Sequence, residues 1–229
     1  MNVLVAGAAG GIGSACVRAV EADGGAVYGV DRDDTDITLP GGAERAVATA
    51  VDKLGRLDGV VHAIGMSGRR QGDGPIESCT DQAWAEVLRV NLESAFRLLR
   101  AAVPVLTEAG GGSIVLIGSA LATDPDPDFR TVAYATAKGA LLSLARVVAH
   151  QTARAGVRVN IVSAGLVDTA MATRALTTQA IQDRLPELMP LGGNACTPEE
   201  VAAAVLWLLS PASRRTTGTS LPVDGGWHL

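Results

Sequence analysis

Aromatic residues are scarce in this chain: two tyrosines, two phenylalanines and three tryptophans make 3% of 229 residues. Lysine occurs only twice, at Lys53 and Lys138. The three cysteines, Cys16, Cys79 and Cys196, are odd in number and far apart. No C-x-x-C and no metal-like Cys/His cluster occurs, which argues against a disulfide framework or a metal site and for free thiols in a reducing compartment. Positive charge is not in excess: the net charge is −5 and the pI about 5.2, which speaks against nucleic acid or an anionic membrane as main partner. The segment Met1-Asn2-Val3-Leu4-Val5 has no charged leader before its apolar run, unlike a signal peptide. No apolar run reads as long enough to span a bilayer. A cytoplasmic location is the expectation.

The chain does have 48% hydrophobic and 19% charged residues, a globular composition that suits one domain over residues 1–229. One pairing stands out. Tyr134-Ala135-Thr136-Ala137-Lys138 puts a phenol and an ammonium four residues apart, on one face of a helix. A phenol ordinarily ionises near ~10, and bringing it to ~7 takes roughly 4 kcal/mol of differential stabilisation. A neighbouring ammonium works in that direction. A tyrosine so tuned is a general acid or base for a carbonyl or hydroxyl oxygen.

Upstream, Val3 to Ala6 reads as a buried parallel strand. Gly7-Ala8-Ala9-Gly10-Gly11-Ile12-Gly13 follows, then a helical pattern from Ser14 to about Ala22. Strand, glycine turn and helix form the front of a dinucleotide-binding unit. In it Gly7 permits the turn, Gly11 lets the backbone approach a pyrophosphate, and Gly13 lets helix and strand pack closely. A second strand, Ala26 to Val30, ends on Asp31, eighteen residues after Gly13. An acidic residue there suits the adenosine ribose hydroxyls and repels a 2′-phosphate, so NAD(H) is expected in preference to NADP(H). Arg32 could soften that preference.

Only a few residues separate Asp31 from Asp36-Ile37, too few for a parallel crossover. The second crossover helix therefore reads as deleted, any third strand as a stub, and the adenine side as open. Strands are expected at 58–63, 113–117, 157–162 and 220–223. Helices are expected at 44–54, 81–88 (capped by Asp81), 91–107 (kinked or shortened by Pro104), 132–153 and 198–209. The alternation specifies a doubly wound α/β domain. Residues 166–193 read as less regular and suit a mobile substrate lid. His62, at a strand end, reads as structural. Arg69 and Arg70 read as solvated charges, with a clamp on an anionic substrate as the alternative.

Five features occur in one order: Gly7-x-x-x-Gly11-x-Gly13, Asn91, Ser119 after a strand, Tyr134-x-x-x-Lys138, and Asp224-Gly225-Gly226. Together they resemble the short-chain dehydrogenase/reductase family over nearly the whole chain. The resemblance implies a single Rossmann-type domain with a mostly parallel sheet. It implies Tyr134 as general acid/base, Lys138 as its tuner and ribose ligand, Ser119 on the substrate oxygen, and Asn91 holding a relay water. Cofactor contacts are implied for Gly7, Gly11, Ile12, Gly13, Asp31, Arg32, Asp36, Ile37, Ala63, Gly65, Tyr134, Lys138, Gly165, Val167 and Thr169. No metal is implied.

Three departures from the family pattern stand at Ala6 in place of threonine, at His62-Ala63-Ile64-Gly65 in place of Asn-Asn-Ala-Gly, and at Ala164 in place of proline. The interval from Ser119 to Tyr134 is lengthened and holds Asp124-Pro125-Asp126-Pro127-Asp128. The shortened second crossover resembles some hydroxysteroid dehydrogenase/carbonyl reductase members. The expected function is NAD(H)-linked interconversion of a secondary alcohol and a ketone of small to medium size, in a homo-oligomer, tetramer or dimer. NADPH-dependent β-ketoacyl carrier-protein reduction and a non-catalytic dinucleotide sensor are the alternatives.

Overall fold

The computed structural model describes residues 1–227 and 229. Six parallel strands form one sheet: β1 (Asn2–Ala6), β2 (Ala26–Val30), β3 (Gly59–His62), β4 (Gly112–Ile117), β5 (Val157–Ala164) and β6 (Ser220–Val223). Their order is β2-β1-β3-β4-β5-β6. Successive side chains on a strand point to opposite faces. Leu4, Val60, Ile114 and Ile161 accordingly join one core, and Val3, Val5, Val61, Val115 and Val162 the other. Because both faces are covered, β1, β3 and β4 are largely apolar runs without alternation, buried along most of their length.

Helices α1 (Gly11–Ala22) and α8 (Pro198–Leu209) pack together over one face. On the other lie α2 (Gly42–Leu54), α3 (Asp81–Leu88), α4 (Ser94–Glu108) and α5 (Val132–Thr152). The chain steps outward from β1 to β2, then crosses back over β1 to β3. The switch point thus lies between the carboxyl ends of β1 and β3, where ligands bind in open α/β sheets.

The short β2-to-α2 connection holds turns and no helix, and β2 is the edge strand. Asp36 organises it by accepting from the backbone N–H (2.8 Å) and hydroxyl (2.6 Å) of Thr38. Arg97 ties it to α4 through the Thr38 carbonyl at 2.7 Å.

Four expectations need correction. The N-cap of α3 is Thr80, whose hydroxyl accepts from Ala83 N–H; Asp81 is the first helical residue. Of the two outcomes expected for Pro104, a kink or a shortening, the shortening does not occur: α4 runs on to Glu108. Residues 166–193 are more regular than expected, holding α6 (Thr173–Thr177) and α7 (Gln179–Leu188). Neither helix has a side-chain cap bond at its start, and Pro186 inside α7 reads in sequence as a breaker. Finally, residues 132–155 are long and apolar enough to cross a bilayer by length and composition. Here they pack on β5 and bury Lys138.

Candidate active site

The glycine turn is held by backbone contacts that only glycine allows. Gly7 has φ +86°, and a Cβ there would lie 2.8 Å from the Ala63 carbonyl group. A Cβ on Gly13 would lie 2.0 Å from the Gly7 carbonyl oxygen. A Cβ on Gly11 would meet the Thr169 side chain at 2.6 Å, so Gly11 brings the β5–α6 loop over the turn. No side chain caps α1, which leaves its first N–H groups free to receive a phosphate. Asp31 accepts from Ala9 N–H at 3.0 Å and from Arg32 N–H at 2.8 Å, so it braces the turn from the end of β2. The Ile37 side chain is buried in the core, leaving only its backbone for a ligand.

A cavity of about 350 Å³ opens at the carboxyl ends of β3, β4 and β5. Ile12, Ala63, Gly65, Ser119, Tyr134, Lys138, Gly165, Val167 and Thr169 all line it. Asp31, Arg32 and Asp36 lie outside it, at the β2 edge. Ser119 is buried after β4, and its hydroxyl accepts from Leu121 N–H at 3.3 Å. Lys138 is buried, donates to the Ile117 carbonyl at 2.8 Å, and has its ammonium 5.7 Å from the Tyr134 ring centre. Burial lowers its pKa to about 8, so it is still cationic at neutral pH.

The tuning of Tyr134 differs from the expectation. Burial raises its pKa and the neighbouring Ser119 hydroxyl opposes the shift. The Lys138 ammonium bonds a carbonyl instead of the phenol. The protonated phenol is therefore the state at neutral pH.

Asn91 is buried in a π-turn, Arg89–Glu93, that joins α3 to α4. Its amide is spent on structure: Nδ2 donates to the Met66 and Val87 carbonyls, each at 3.0 Å, and Oδ1 accepts from Met66 N–H at 3.2 Å. It thereby fixes the loop that carries Gly65, and a Cβ on Gly65 would lie 3.0 Å from Asn91 Oδ1 and 3.5 Å from Lys138 Nζ. A π-turn also loosens the i→i+4 ladder around it. His62 is fully buried, with Nε2 2.8 Å from Ser94 Oγ. Burial, then the charge of Lys138, lowers its pKa to about 3, so it is a neutral core residue.

A family model described as enoyl-(acyl carrier protein) reductase matches residues 34–228. The chain belongs to the short-chain dehydrogenase/reductase family. It is 36% identical to an uncharacterized NAD-dependent oxidoreductase of Mycobacterium tuberculosis, over 92% of this chain and 76% of that one. It is 33% identical to 2-(S)-hydroxypropyl-CoM dehydrogenase 3 of Xanthobacter autotrophicus, over 83% and 74%. Among solved structures it resembles a 3-ketoacyl-(acyl-carrier-protein) reductase of Brucella melitensis complexed with NADH. That match has a TM-score of 0.85 and 26% identity, over 99% and 98% of the chains. This short-chain dehydrogenase/reductase is thus an oxidoreductase that uses a nicotinamide dinucleotide.

Several residues that line the cavity or brace its wall escaped the sequence reading. Asp73, buried in the β3–α3 loop, accepts from Ala133 N–H and Tyr134 N–H, both at 3.0 Å. It caps α5 where the tyrosine stands, and no local motif marks it. Phe129 and Trp227 meet edge to face, 5.3 Å between ring centres, and both line the cavity. Arg184 of α7 reaches Asp126 at 2.8 Å and also pairs with Asp128. The acidic Asp-Pro loop is therefore half of a clasp whose other half lies in 166–193. Arg69 is half-buried and lines the cavity with Arg70 and Arg174. The reading of Arg69 as a solvated charge is thereby corrected.

Proposed function

We propose that this short-chain dehydrogenase/reductase interconverts a secondary alcohol and a ketone, using NAD(H) in preference to NADP(H). The observation that carries the reading is the convergence of Tyr134, Ser119 and Lys138 with Gly65 and Thr169 on one cavity at the switch-point end of the sheet. The glycine cradle at Gly7, Gly11 and Gly13, with the uncapped start of α1, fits a dinucleotide pyrophosphate. Asp31 fits a ribose and repels a 2′-phosphate. When bound, the cofactor supplies or accepts the hydride.

The chain's own part is binding and proton handling. Ser119 Oγ and Tyr134 Oη flank the substrate oxygen. In the reducing direction the protonated phenol of Tyr134 donates its proton to that oxygen as negative charge builds there. Lys138 then stabilises the phenolate left behind. In the oxidising direction the same proton returns to Tyr134. Asn91 holds the Gly65 loop against Lys138. Residues 166–193 act as a lid.

Tyr134→Phe tests the mechanism. Turnover should fall by about 10²–10⁴-fold, with NADH affinity unchanged; full activity would refute it. Cofactor choice is tested by titration, where NADH should bind at least about tenfold, or 1.4 kcal/mol, more tightly than NADPH. Tighter NADPH binding would overturn the coenzyme preference; it would not by itself select the carrier-protein reductase reading, since the Brucella melitensis reductase is complexed with NADH. Trp84, Phe96 and Val147 expose apolar surface on α3, α4 and α5, which supports a homo-oligomer, to be measured by light scattering.

A further inference from the structure

Charge on the cavity wall is one-sided. Its charged lining residues are Lys138, Arg69, Arg70 and Arg174, with no carboxylate among the described residues, in a chain of net charge −5. Six arginines elsewhere, Arg18, Arg56, Arg89, Arg97, Arg100 and Arg184, pair with carboxylates. Neither Arg69 nor Arg174 does so among the described residues.

Arg69 is the more telling of the two. It is half-buried, and burial and the charge of Arg174 both work against its own charge. Asp73 is the opposing charge it feels, but both Asp73 oxygens are engaged by Ala133 and Tyr134 N–H groups. Asp73 thus offsets part of this charge at a distance without an ion pair, and a bound anion that met both Arg69 and Arg174 would offset the rest. Arg174 is fixed on the substrate side. It donates to the Asp128 carbonyl at 3.0 Å and lies over the Phe129 ring at 5.7 Å. The same wall carries the apolar side chains of Leu121, Phe129 and Trp227.

Resting on the alcohol/ketone reading above, we propose that the substrate is an organic acid. Its apolar body carries a carboxylate, or an equivalent anion, at the end away from the reacting carbon, and Arg69 and Arg174 receive it.

Matched probes test this. Turnover of 4-oxocyclohexanecarboxylate with NADH is compared with that of its methyl ester. The acid should have a kcat/KM higher by about tenfold or more. Arg69→Gln and Arg174→Gln should each remove most of that preference, leaving the ester's kcat/KM and NADH affinity near wild type. Should neither ketone turn over, quenching of bound NADH fluorescence by cyclohexanecarboxylate, against cyclohexanecarboxamide, decides the point. The carboxylate should bind tighter, and only while both arginines are present. Equal handling of acid and neutral partner overturns the proposal while leaving the oxidoreductase reading intact. Loss of NADH affinity in the arginine variants overturns it by assigning them to the cofactor. Turnover of acetoacetyl-CoA well above the keto acid overturns it in favour of a phosphate-bearing carrier arm. Failure to bind NADH at all would instead sink the reading on which it rests.

Discussion

The two ends of the cavity are built differently. At the β1–α1 end, position is set by backbone against backbone. Gly7, Gly13 and the Ala63 carbonyl lie within contact that no side chain could share, over residues 3–6 of β1 and 60–62 of β3, which have no exposure. At the β4–α5 and β5–α8 end, position is set by side chains. The Arg184 clasp, Arg174 on Asp128, the Phe129–Trp227 pair and Trp227 Nε1 on the Asp124 carbonyl at 3.3 Å hold the wall together. The first arrangement has one solution and cannot relax. The second is a set of replaceable contacts at half-exposed positions, suited to opening for a substrate and to changing with it.

The largest expected effect lies in the first region. Gly13→Ala places a methyl 2.0 Å from the Gly7 oxygen, with backbone on both sides. Either α1 moves off the turn or the turn unfolds, so NADH binding should be lost and the yield of folded protein should drop. This cost belongs with overpacking and backbone clashes of several kcal/mol. Near-normal NADH affinity in Gly13→Ala would erase the proposed difference between the two ends.

A smaller effect follows from His62, on β3 beneath the same region. Unfolded, it takes a proton near its ordinary value of 6.5; folded, it does so only at about 3. Between those values the unfolded chain binds more protons, so stability falls as pH falls. The slope approaches about 1.4 kcal/mol per pH unit and the total is bounded at several kcal/mol. Urea unfolding at pH 6.5 and 4.5 should show wild type losing roughly 2 kcal/mol more than His62→Gln. Parallel losses would place the acid sensitivity elsewhere. Asp73 joins the two regions by capping α5, and Asp73→Ala should cost about 1–2 kcal/mol. It should lower kcat more than it raises KM, with Asp73→Asn restoring part of both, because one amide oxygen can still accept.

The contrast also explains what the sequence disclosed. Gly7, Gly11, Gly13, Ser119, Tyr134 and Lys138 are constrained locally, by a turn, a strand end or a helical repeat, so short spacings reveal them. The parallel sheet and the missing crossover between Asp31 and Asp36 were legible for the same reason. Asp73 was not, because its partners Ala133 and Tyr134 lie sixty residues on. Nor were the pairing of Arg184 with the Asp-Pro loop or the meeting of Phe129 with Trp227, which depend on how two loops fold over the sheet. The local constraint on Tyr134-x-x-x-Lys138 disclosed the residues but not their electrostatics. A carbonyl at the end of β4 takes the ammonium, and burial governs the phenol.

The smallest expected effect on stability is at the clasp, where the contrast is most exposed to failure. Arg184 and Asp128 retain about a third of their side-chain exposure, while Asp126 is nearly buried, 7% exposed. Both carboxylates favour the charge on Arg184. The partly exposed Arg184–Asp128 pair contributes little, and the nearly buried Asp126 adds little more because its partner is accessible to water, so Arg184→Ala should lower the Tm by only a few degrees and leave the NADH affinity unchanged. It should free α7 from the Asp-Pro loop, raise KM more than it lowers kcat, and speed proteolysis within 173–188. Reversing the pair, with Arg184→Asp and Asp126→Arg together, should recover part of the lost KM if the clasp acts by joining the loops. A large drop in Tm for Arg184→Ala would mean that the lid end is integral to the fold. The division into a fixed cofactor end and an adjustable substrate end would then fail.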